Sequence, residues 1–185
     1  WSSPVISARK RDGSARLCIN YRKVNAITTL VSYPLPTFDE VVDNLAEQQP
    51  TLFSTLDLEA GYWQSKLDPS TADRSGFSTA DGSFTFKRMP FGLCSAVQFF
   101  QRLMSKVLRH LTPSACMCYL DDVIVFAKNN ADMVHKLQQV FDRFRENNLR
   151  IHPSKSIFST NRYKFFGHII SEKGIEIDNS KFDLV

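Results

Sequence analysis

The sequence lacks the marks of a membrane, secreted or zinc-binding protein. Its 185 residues contain no apolar run of roughly 18 residues, the length that spans a bilayer, and residues 1–10 have no apolar core of a signal peptide. The four cysteines form no Cys-x-x-Cys pair and no paired histidine spacing accompanies them, so we expect reduced thiols and no zinc site. Because the first residue is Trp1 rather than methionine, we expect a piece of a longer protein.

What is present is an ordinary globular composition with an uneven distribution of charge. Hydrophobic residues make up 43% and charged residues 23%, which excludes a disordered, collagen-like or coiled-coil chain. Residues 1–23 carry six Lys or Arg and one Asp, residues 39–73 carry eight acids and one Lys, and residues 74–118 carry six bases and one Asp. Basic blocks around an acidic one suit a polyanion-binding surface, but charge alone favours an ordinary solvated surface.

The hydrophobic periodicity predicts a β-α-β-β-α-β series in the centre of the chain. Its elements are, in order, a strand at 52–58, a helix at 96–111, strands at 115–120 and 123–127, a helix at 131–147 and a strand at 149–152. This order is the ferredoxin-like arrangement of an α+β protein. In that arrangement the first strand lies beside the hairpin of the middle two, which brings Asp57, Asp121 and Asp122 to one edge of the sheet.

Three carboxylates at one sheet edge predict a metal site. Two adjacent acids at a tight turn between apolar runs resist joint ionisation, and a cation removes that penalty. Oxygen ligands favour Mg²⁺ or Mn²⁺ over zinc, and two such ions about 3.5–4 Å apart can clamp an attacking hydroxyl and a leaving pyrophosphate oxygen. The alternative is a plain hairpin turn, in which Asp is common, and the residues alone leave both interpretations open.

Five blocks of the chain, in the correct order, resemble the motifs of reverse transcriptases. Tyr-Leu-Asp-Asp at 119–122, followed by Val-Ile-Val-Phe, resembles the family signature. The other blocks resemble the fingers hairpin (10–25), the block of the first catalytic aspartate (56–64), the nucleotide-pocket loop with its helix (89–104) and the primer-grip hairpin (165–168). Phe-Gly-Leu at 91–93 and Phe-Gly-His at 166–168 are most similar to gypsy-type LTR retrotransposon polyproteins, with plant pararetroviruses close behind.

The resemblance implies the fold and the extent of the domain. It implies a single reverse transcriptase domain fragment over residues 1–185, with a ferredoxin-like polymerase palm and a partial fingers subdomain. We expect the fingers at about 1–50 and 65–95 and the palm at about 51–64 and 96–171. The thumb, RNase H, integrase and protease, which serve polymerisation and DNA integration in such a Pol polyprotein, are expected outside the chain.

The resemblance also implies a role for each matched residue. The catalytic and metal-binding triad is matched by Asp57, Asp121 and Asp122. The nucleotide-binding positions are matched by Lys10, Arg16, Tyr62, Phe91 and Gly92. Among these, Tyr62 matches the aromatic gate under the sugar C2′ position. The primer grip is matched by Phe166 and Gly167.

These matches imply an RNA-directed DNA polymerase that adds a dNTP to a primer 3′-hydroxyl on an RNA or DNA template. Two Mg²⁺ ions, with Mn²⁺ as a possible substitute, are the expected cofactors. Template-primer, dNTP and the rest of the Pol polyprotein are the expected partners, without a membrane. We expect an intracellular protein in cytoplasmic virus-like particles. The isolated fragment should be weak or inactive, because the thumb grips the duplex in this family.

Two alternatives stay open. A non-catalytic RNA-binding domain can share the ferredoxin-like topology, although RNA-recognition motifs place aromatic residues on their central strands. A catalytically dead retroelement remnant would also keep the fold. Three departures from the family pattern favour this second alternative. Asn-Tyr-Arg replaces Asp-Tyr-Arg at 20–22, Ser-Ala-Val replaces Asn-Ala-Pro at 95–97, and Phe166 replaces Leu. None of them touches the three acids.

Overall fold

The computed structural model describes residues 1–9, 13, 15–30, 32–120, 122–165, 168–172 and 174–177. Four predicted site residues, Lys10, Asp121, Phe166 and Gly167, lie outside the described residues. The backbone of Arg16 is described, but its side chain is not. The remaining predicted site residues are all described.

Contacts within the chain divide it into two compact units, each built from two segments. Unit 1 comprises Trp1–Tyr33 and Ala60–Phe100, and unit 2 comprises Pro34–Glu59 and Gln101–Val185. These bounds differ from those expected for fingers and palm, since residues 34–50 belong to unit 2. Compactness is a different criterion from the division into fingers and palm, so the subdomain bounds stay a prediction.

The described residues form an α+β protein. The strands are β1 (Val5–Arg9), β2 (Ala15–Ile19), β3 (Leu52–Asp57), β4 (Phe77–Thr79), β5 (Gly82–Phe84), β6 (Cys116–Tyr119), β7 (Asp122–Ala127), β8 (Ile157–Thr160), β9 (Arg162–Phe165), β10 (His168–Ser171) and β11 (Gly174–Ile177). The α-helices are α1 (Arg22–Ala26), α2 (Phe38–Gln48), α3 (Ala96–Val107) and α4 (Asn130–Glu146). Short 3-10 helices cover Gly61–Gln64, Ala72–Ser75 and Pro153–Lys155. Among these helices, none combines the length and the apolar character needed to cross a bilayer.

Unit 2 is built on a four-stranded antiparallel sheet with the order β6-β7-β3-β8. The strand of this sheet that comes first in the sequence, β3, lies between β7 and β8, and β6 pairs with β7. This strand order is the one that a β-α-β-β-α-β series takes in a ferredoxin-like fold, so that prediction is confirmed. Phe53 and Leu56 of β3 and Val123 and Val125 of β7 are almost fully buried, which places apolar side chains along both central strands.

The predicted strand at 149–152 is wrong. Only Ile151 pairs there, in an isolated bridge with Leu58. Pro153 follows at once and opens a 3-10 helix, because proline has no N–H to donate to a ladder. The fourth strand of the sheet is β8, which contacts β3 with a shift in register between Phe53 and Thr55.

The predicted helix at 96–111 is also too long. α3 ends at Val107, and Leu108 to Leu111 continue as turns in which the Leu111 N–H donates to the Leu108 carbonyl at 3.0 Å. His110 has a φ of 72°, which a helix cannot accommodate. Leu108 is nevertheless fully buried, so the apolar periodicity extends beyond the helix that it predicts.

The helices of unit 2 begin with side-chain caps. The Thr37 hydroxyl accepts from the Glu40 N–H, and the Glu40 carboxylate accepts from the Thr37 N–H, which together form a capping box for α2. The Asn129 side chain caps α4 by accepting from the Asp132 N–H. A core cluster of α2, the sheet and the β9–β10 hairpin comprises Val41, Leu45, Phe53, Met117, Ile124, Phe126, Tyr163, Phe165 and Ile170.

Unit 1 is a set of small hairpins around an aromatic core. β1 pairs with β2 and β4 pairs with β5, both antiparallel. Ile19, Tyr21 and Phe77 form the buried cluster. The Tyr21 hydroxyl donates to the Ser75 carbonyl at 2.9 Å, and burial raises the pKa of Tyr21 to about 12. The cysteines of the chain, two in each unit, are all free, as predicted.

Candidate active site

Asp57 and Asp122 close the central ladder of unit 2. Asp57 is the last residue of β3, Asp122 is the first of β7, and the two are direct partners in the antiparallel register. Directly opposed residues point to the same face of a sheet, with Cβ atoms about 4.5–5.5 Å apart. The side chain of Asp57 is 34% exposed and Asp122 is exposed, so both carboxylates reach solvent. Two of the three predicted acids are therefore brought together.

The two carboxylates of this pair place negative charges close together. Like charges directly opposed across two strands destabilise the ladder. The Lys155 ammonium lies 4.0 Å from an Asp57 carboxylate oxygen, an exposed and therefore weak ion pair. Burial, and secondarily the charge of Asp122, raise the pKa of Tyr163 well above its usual range.

The backbone of Asp57 is anchored by His152 and Ser156, the residues on either side of the 3-10 helix Pro153–Lys155. The His152 N–H donates to the Asp57 carbonyl at 2.7 Å, and the Asp57 N–H donates to the Ser156 hydroxyl at 3.2 Å. The Ser156 hydroxyl in turn donates to the His152 carbonyl at 3.0 Å. Sequence reasoning assigned no role to these residues, because a turn after Pro153 carries no recognisable signal for contact with a strand about 100 residues away.

A buried glutamine contacts the turn that leads to the acid pair. Gln101, on α3, is 2% exposed. Its Nε2 donates to the Cys118 carbonyl at 3.1 Å, and its Oε1 accepts from the Leu120 N–H at 2.8 Å. Leu120 has a φ of 57°, the left-handed conformation that a branched side chain rarely adopts. The turn is thus conformationally strained and hydrogen bonded on both sides of Tyr119.

The predicted gate residue of unit 1, Tyr62, lies in the 3-10 helix Gly61–Gln64. Its ring makes edge contacts with Phe91 and Phe100, each with centroids 5.2 Å apart. The Arg88 guanidinium donates to the Gln64 carbonyl at 2.8 Å, which ties this short helix to the strand-like segment beside it. Tyr62 therefore lies in an aromatic cluster with Phe91, another of the predicted nucleotide-binding residues.

The loop around Phe91 and Gly92 is held by an asparagine. Gly92 has a φ of +95°, which favours glycine whatever the space around it. The Asn25 amide nitrogen donates to the Gly92 carbonyl at 2.9 Å, and the Asn25 oxygen accepts from the Cys94 N–H at 3.0 Å. Phe91 is 50% exposed, which leaves half of its surface for another contact. Asn25 lies within the block that resembles the fingers hairpin, and the resemblance implies no role for it.

The predicted site residues thus fall into three groups. Unit 2 brings Asp57 and Asp122 together, and unit 1 brings Tyr62, Phe91 and Gly92 together. For the primer grip, the flanking strands β9 and β10 pair with Phe165 opposite His168, and Phe165 packs edge-on against Tyr119 at 6.0 Å. The roles of the residues outside the described part of the chain, Lys10, Asp121, Phe166 and Gly167, stay predictions, as does the role of the Arg16 side chain.

The donor set of the acid pair fits a hard divalent cation. Asp57 and Asp122 offer carboxylate oxygens, the ligands that Mg²⁺ and Mn²⁺ prefer. The approach of a cation relieves the repulsion between these opposed charges. Within the described residues, no three His, Cys, Asp or Glu side chains are grouped closely enough to hold a metal ion. The third predicted ligand, Asp121, is outside that part of the chain.

Comparison with known proteins gives a consistent result over nearly the whole chain. A family model described as "Reverse transcriptase (RNA-dependent DNA polymerase)" matches residues 8–170. The chain is 39% identical to the Pol polyprotein of the Drosophila melanogaster transposon 412, over 100% of the chain and 15% of that polyprotein. It is 35% identical to the Pol polyprotein of the D. melanogaster transposon gypsy, over 98% of the chain and 18% of that polyprotein. The chain therefore spans less than a fifth of the length of these relatives.

The fold is similar to that of solved viral enzymes. The foamy viral protease-reverse transcriptase in complex with an RNA/DNA hybrid matches with a TM-score of 0.85 and 22% identity, over 98% of this chain and 24% of that chain. The same viral protein in complex with dsDNA matches with a TM-score of 0.86 and 23% identity, over 98% and 37% of the two chains. At this level of identity the likeness establishes the fold.

Proposed function

The chain belongs to the reverse transcriptase family, and from this premise we propose that it carries the polymerase active site of a retrotransposon Pol polyprotein. Its reaction is RNA-directed DNA synthesis, in which a primer 3′-hydroxyl attacks the α-phosphate of a dNTP and pyrophosphate leaves. The single observation that carries the proposal is the pairing of Asp57 with Asp122 at the end of the central ladder of unit 2.

The acids serve as cation ligands in this proposal. Asp57, Asp121 and Asp122 hold two Mg²⁺ ions, which Mn²⁺ can replace. When bound, such ions supply charge stabilisation at the attacking and leaving oxygens of an in-line displacement. The chain itself contributes by holding the two carboxylates in fixed positions. Asp57 is fixed through its backbone by His152 and Ser156, and its partner is fixed by the β3–β7 register.

Nucleotide binding is the role that we assign to the aromatic cluster of unit 1. Tyr62, held by Phe91 and Phe100, presents an aromatic ring that excludes a 2′-hydroxyl, and Gly92 gives the loop the backbone conformation that places Phe91. Lys10 and Arg16 neutralise charge on the triphosphate. Phe166 and Gly167 hold the primer end. An RNA or DNA template-primer is the proposed partner, together with the rest of the Pol polyprotein, and cytoplasmic virus-like particles are the proposed location.

Family membership argues against the alternative of a non-catalytic RNA-binding domain. The rims of β3 and β7 also argue against it, because they carry acids where a nucleic acid would meet repulsion in the absence of metal. Only a measurement of activity distinguishes a catalytically dead remnant from an active enzyme, because both keep the fold and the acids.

The test is Mg²⁺-dependent extension of a DNA primer on an RNA template by the chain within its polyprotein. Asp57→Asn and Asp122→Asn should each abolish extension, whereas Asp81→Asn, in the exposed β4–β5 turn, should leave it unchanged. Extension that survives both active-site substitutions would remove these acids from the mechanism. No extension by the unsubstituted polyprotein, with intact folding, would identify a dead remnant.

A further inference from the structure

We propose that Gln101 is a positioning residue of the polymerase site, which holds the turn before the Asp121-Asp122 pair in its strained conformation. The inference rests on the proposed function, since a strained turn needs such a support only if the acids after it must be placed accurately. Gln101 itself contacts the backbone of Cys118 and Leu120 and no reacting group. It therefore acts through the turn.

The two hydrogen bonds use both ends of one carboxamide. A carbonyl accepts and an N–H donates, so the Cys118 carbonyl selects the NH₂ group and the Leu120 N–H selects the oxygen. Glutamine is the residue that offers a donor and an acceptor at this reach. Glutamate loses the donor and adds a buried charge, whereas asparagine is one methylene shorter and cannot span the same two groups.

The strained backbone of Leu120 needs a support. The two hydrogen bonds from the Gln101 carboxamide to Cys118 and Leu120, which we call the clamp, provide it. A non-glycine residue with a φ of 57° is unfavourable and persists only when its surroundings hold it. The Leu120 N–H finds its acceptor in the glutamine rather than in the β6–β7 ladder, which ends with the Tyr119–Asp122 pair. Without Gln101, the left-handed residue loses its hydrogen bond and the turn can relax to another conformation.

The helix α3, which carries Gln101, is packed into the core and therefore holds this side chain in place. Gln101 lies on α3 on the same helical face as Met104, Leu108 follows one residue after the end of the helix, and all three are buried. A buried polar group held between a packed helix and a strand end has little freedom to move. The position of the turn is thereby tied to the core of unit 2, one residue before the acid pair begins.

The first test compares Gln101→Met with Gln98→Met in the full chain. Methionine keeps the length and volume of the side chain but removes both hydrogen bonds. Gln98 is the matched control, since it lies one helical turn earlier and its buried Oε1 has no hydrogen-bond partner within the described residues. The readout is hydrogen exchange of the Leu120 amide, followed by NMR. Gln101→Met should accelerate exchange roughly tenfold to a hundredfold, and Gln98→Met should not change it.

The second readout is Mn²⁺ affinity, measured by titration of the same variants. Loss of a residue that orients metal ligands typically lowers metal affinity roughly tenfold to a hundredfold, and we expect this for Gln101→Met alone. A merely structural role would instead raise exchange evenly along α3 and β6 and leave Mn²⁺ affinity at the level of the control. If Gln101→Met does not fold, Gln101→Asn supplies the same comparison, because it keeps the carboxamide but not its reach.

A second substitution at Leu120 tests whether the effect of Gln101→Met acts through the strained turn. Glycine adopts a left-handed conformation freely, so Leu120→Gly added to Gln101→Met should recover part of the lost Mn²⁺ affinity. Unchanged Leu120 exchange in Gln101→Met, or no recovery in the double variant, would overturn the proposal. Failure of the unsubstituted chain to bind Mn²⁺ would overturn the proposed function instead, and the Leu120 exchange experiment would still decide whether the clamp exists.

Discussion

Asp57 and Asp122 are the last of six consecutive partners along the β3–β7 ladder. The pairs before them are neutral, for example Phe53 with Phe126 and Leu56 with Val123. The apolar ladder thus holds two carboxylates at its rim by the same register that buries its core. A shift of one residue in the pairing of β3 with β7 would separate the two acids and would also turn the buried apolar side chains toward solvent. The register that folds unit 2 is therefore the register that brings the acids together.

This relationship predicts an effect on stability that depends on metal. Without divalent cations, Asp122→Asn should raise the free energy of unfolding by roughly 0.2–1 kcal/mol, because it removes a like charge opposite Asp57. With Mg²⁺ added, the unsubstituted chain should gain stability by mass action and the variant should gain much less. Chemical denaturation with and without Mg²⁺ measures both effects. A loss of stability in Asp122→Asn under metal-free conditions, with Asp81→Asn unaffected, would contradict the prediction.

The aromatic cluster predicts a change in sugar selection. Tyr62→Ala removes the ring held by Phe91 and Phe100, so ribonucleotides should be incorporated at least roughly tenfold better relative to dNTPs. Tyr62→Phe keeps the ring and should keep the discrimination. Primer extension with dNTP and rNTP in parallel provides the ratio. The same ratio in the alanine variant and the unsubstituted enzyme would remove Tyr62 from the site.

The carboxamide of Asn25 predicts an effect on nucleotide binding. Asn25→Ala removes two hydrogen bonds to the loop at Gly92 and Cys94, each worth about 1 kcal/mol. The loop should lose its fixed position, so KM for dNTP should rise roughly tenfold, and the free energy of unfolding should fall by about 2 kcal/mol. Steady-state kinetics and denaturation measure the two quantities. Asn44→Ala, which removes an exposed hydrogen bond within α2, is the control and should leave KM unchanged.

Tyr21 predicts a pH dependence of stability. Its folded pKa is raised to about 12 by burial, above the value near 10 of an unfolded tyrosine. Above pH 10 the unfolded state loses this proton while the folded state keeps it, so the stabilisation is fully present below pH 10 and is lost as the pH rises through 12. Tyr21→Phe should therefore lose stability less steeply than the unsubstituted chain at alkaline pH. Parallel slopes for the two proteins in denaturation between pH 9 and 11 would contradict this.

Sequence analysis could predict the elements whose side chains face a core. The apolar spacing at 131–147 predicted α4, and the apolar runs around Asp57 and Asp122 predicted β3 and β7 because buried strands need such runs. The order of these elements was sufficient for the ferredoxin-like arrangement. The pairing of the two acids followed from that arrangement.

What sequence analysis missed depends on contacts between distant polar residues. Gln101 and Asn25 each bind two backbone groups, and none of these four hydrogen bonds leaves a periodic pattern in the chain. The fourth strand was misplaced because Leu149 to His152 reads as apolar alternation, whereas Pro153 ends its pairing and the bulged strand β8 takes the edge. The left-handed conformation of Leu120 could not be read from a residue that normally avoids it.

The position of β3 between β7 and β8 has a consequence for synthesis on the ribosome. Both partners of β3 are translated later, and the second segment of unit 1, Ala60–Phe100, is made in between. At about 5–20 residues per second, roughly 65 residues of delay leave β3 unpaired for several seconds. During that interval Phe53 and Leu56, which the finished sheet buries, face the surroundings of the nascent chain. The strand that carries the first acid of the site therefore keeps its apolar side chains accessible until β7 has been made.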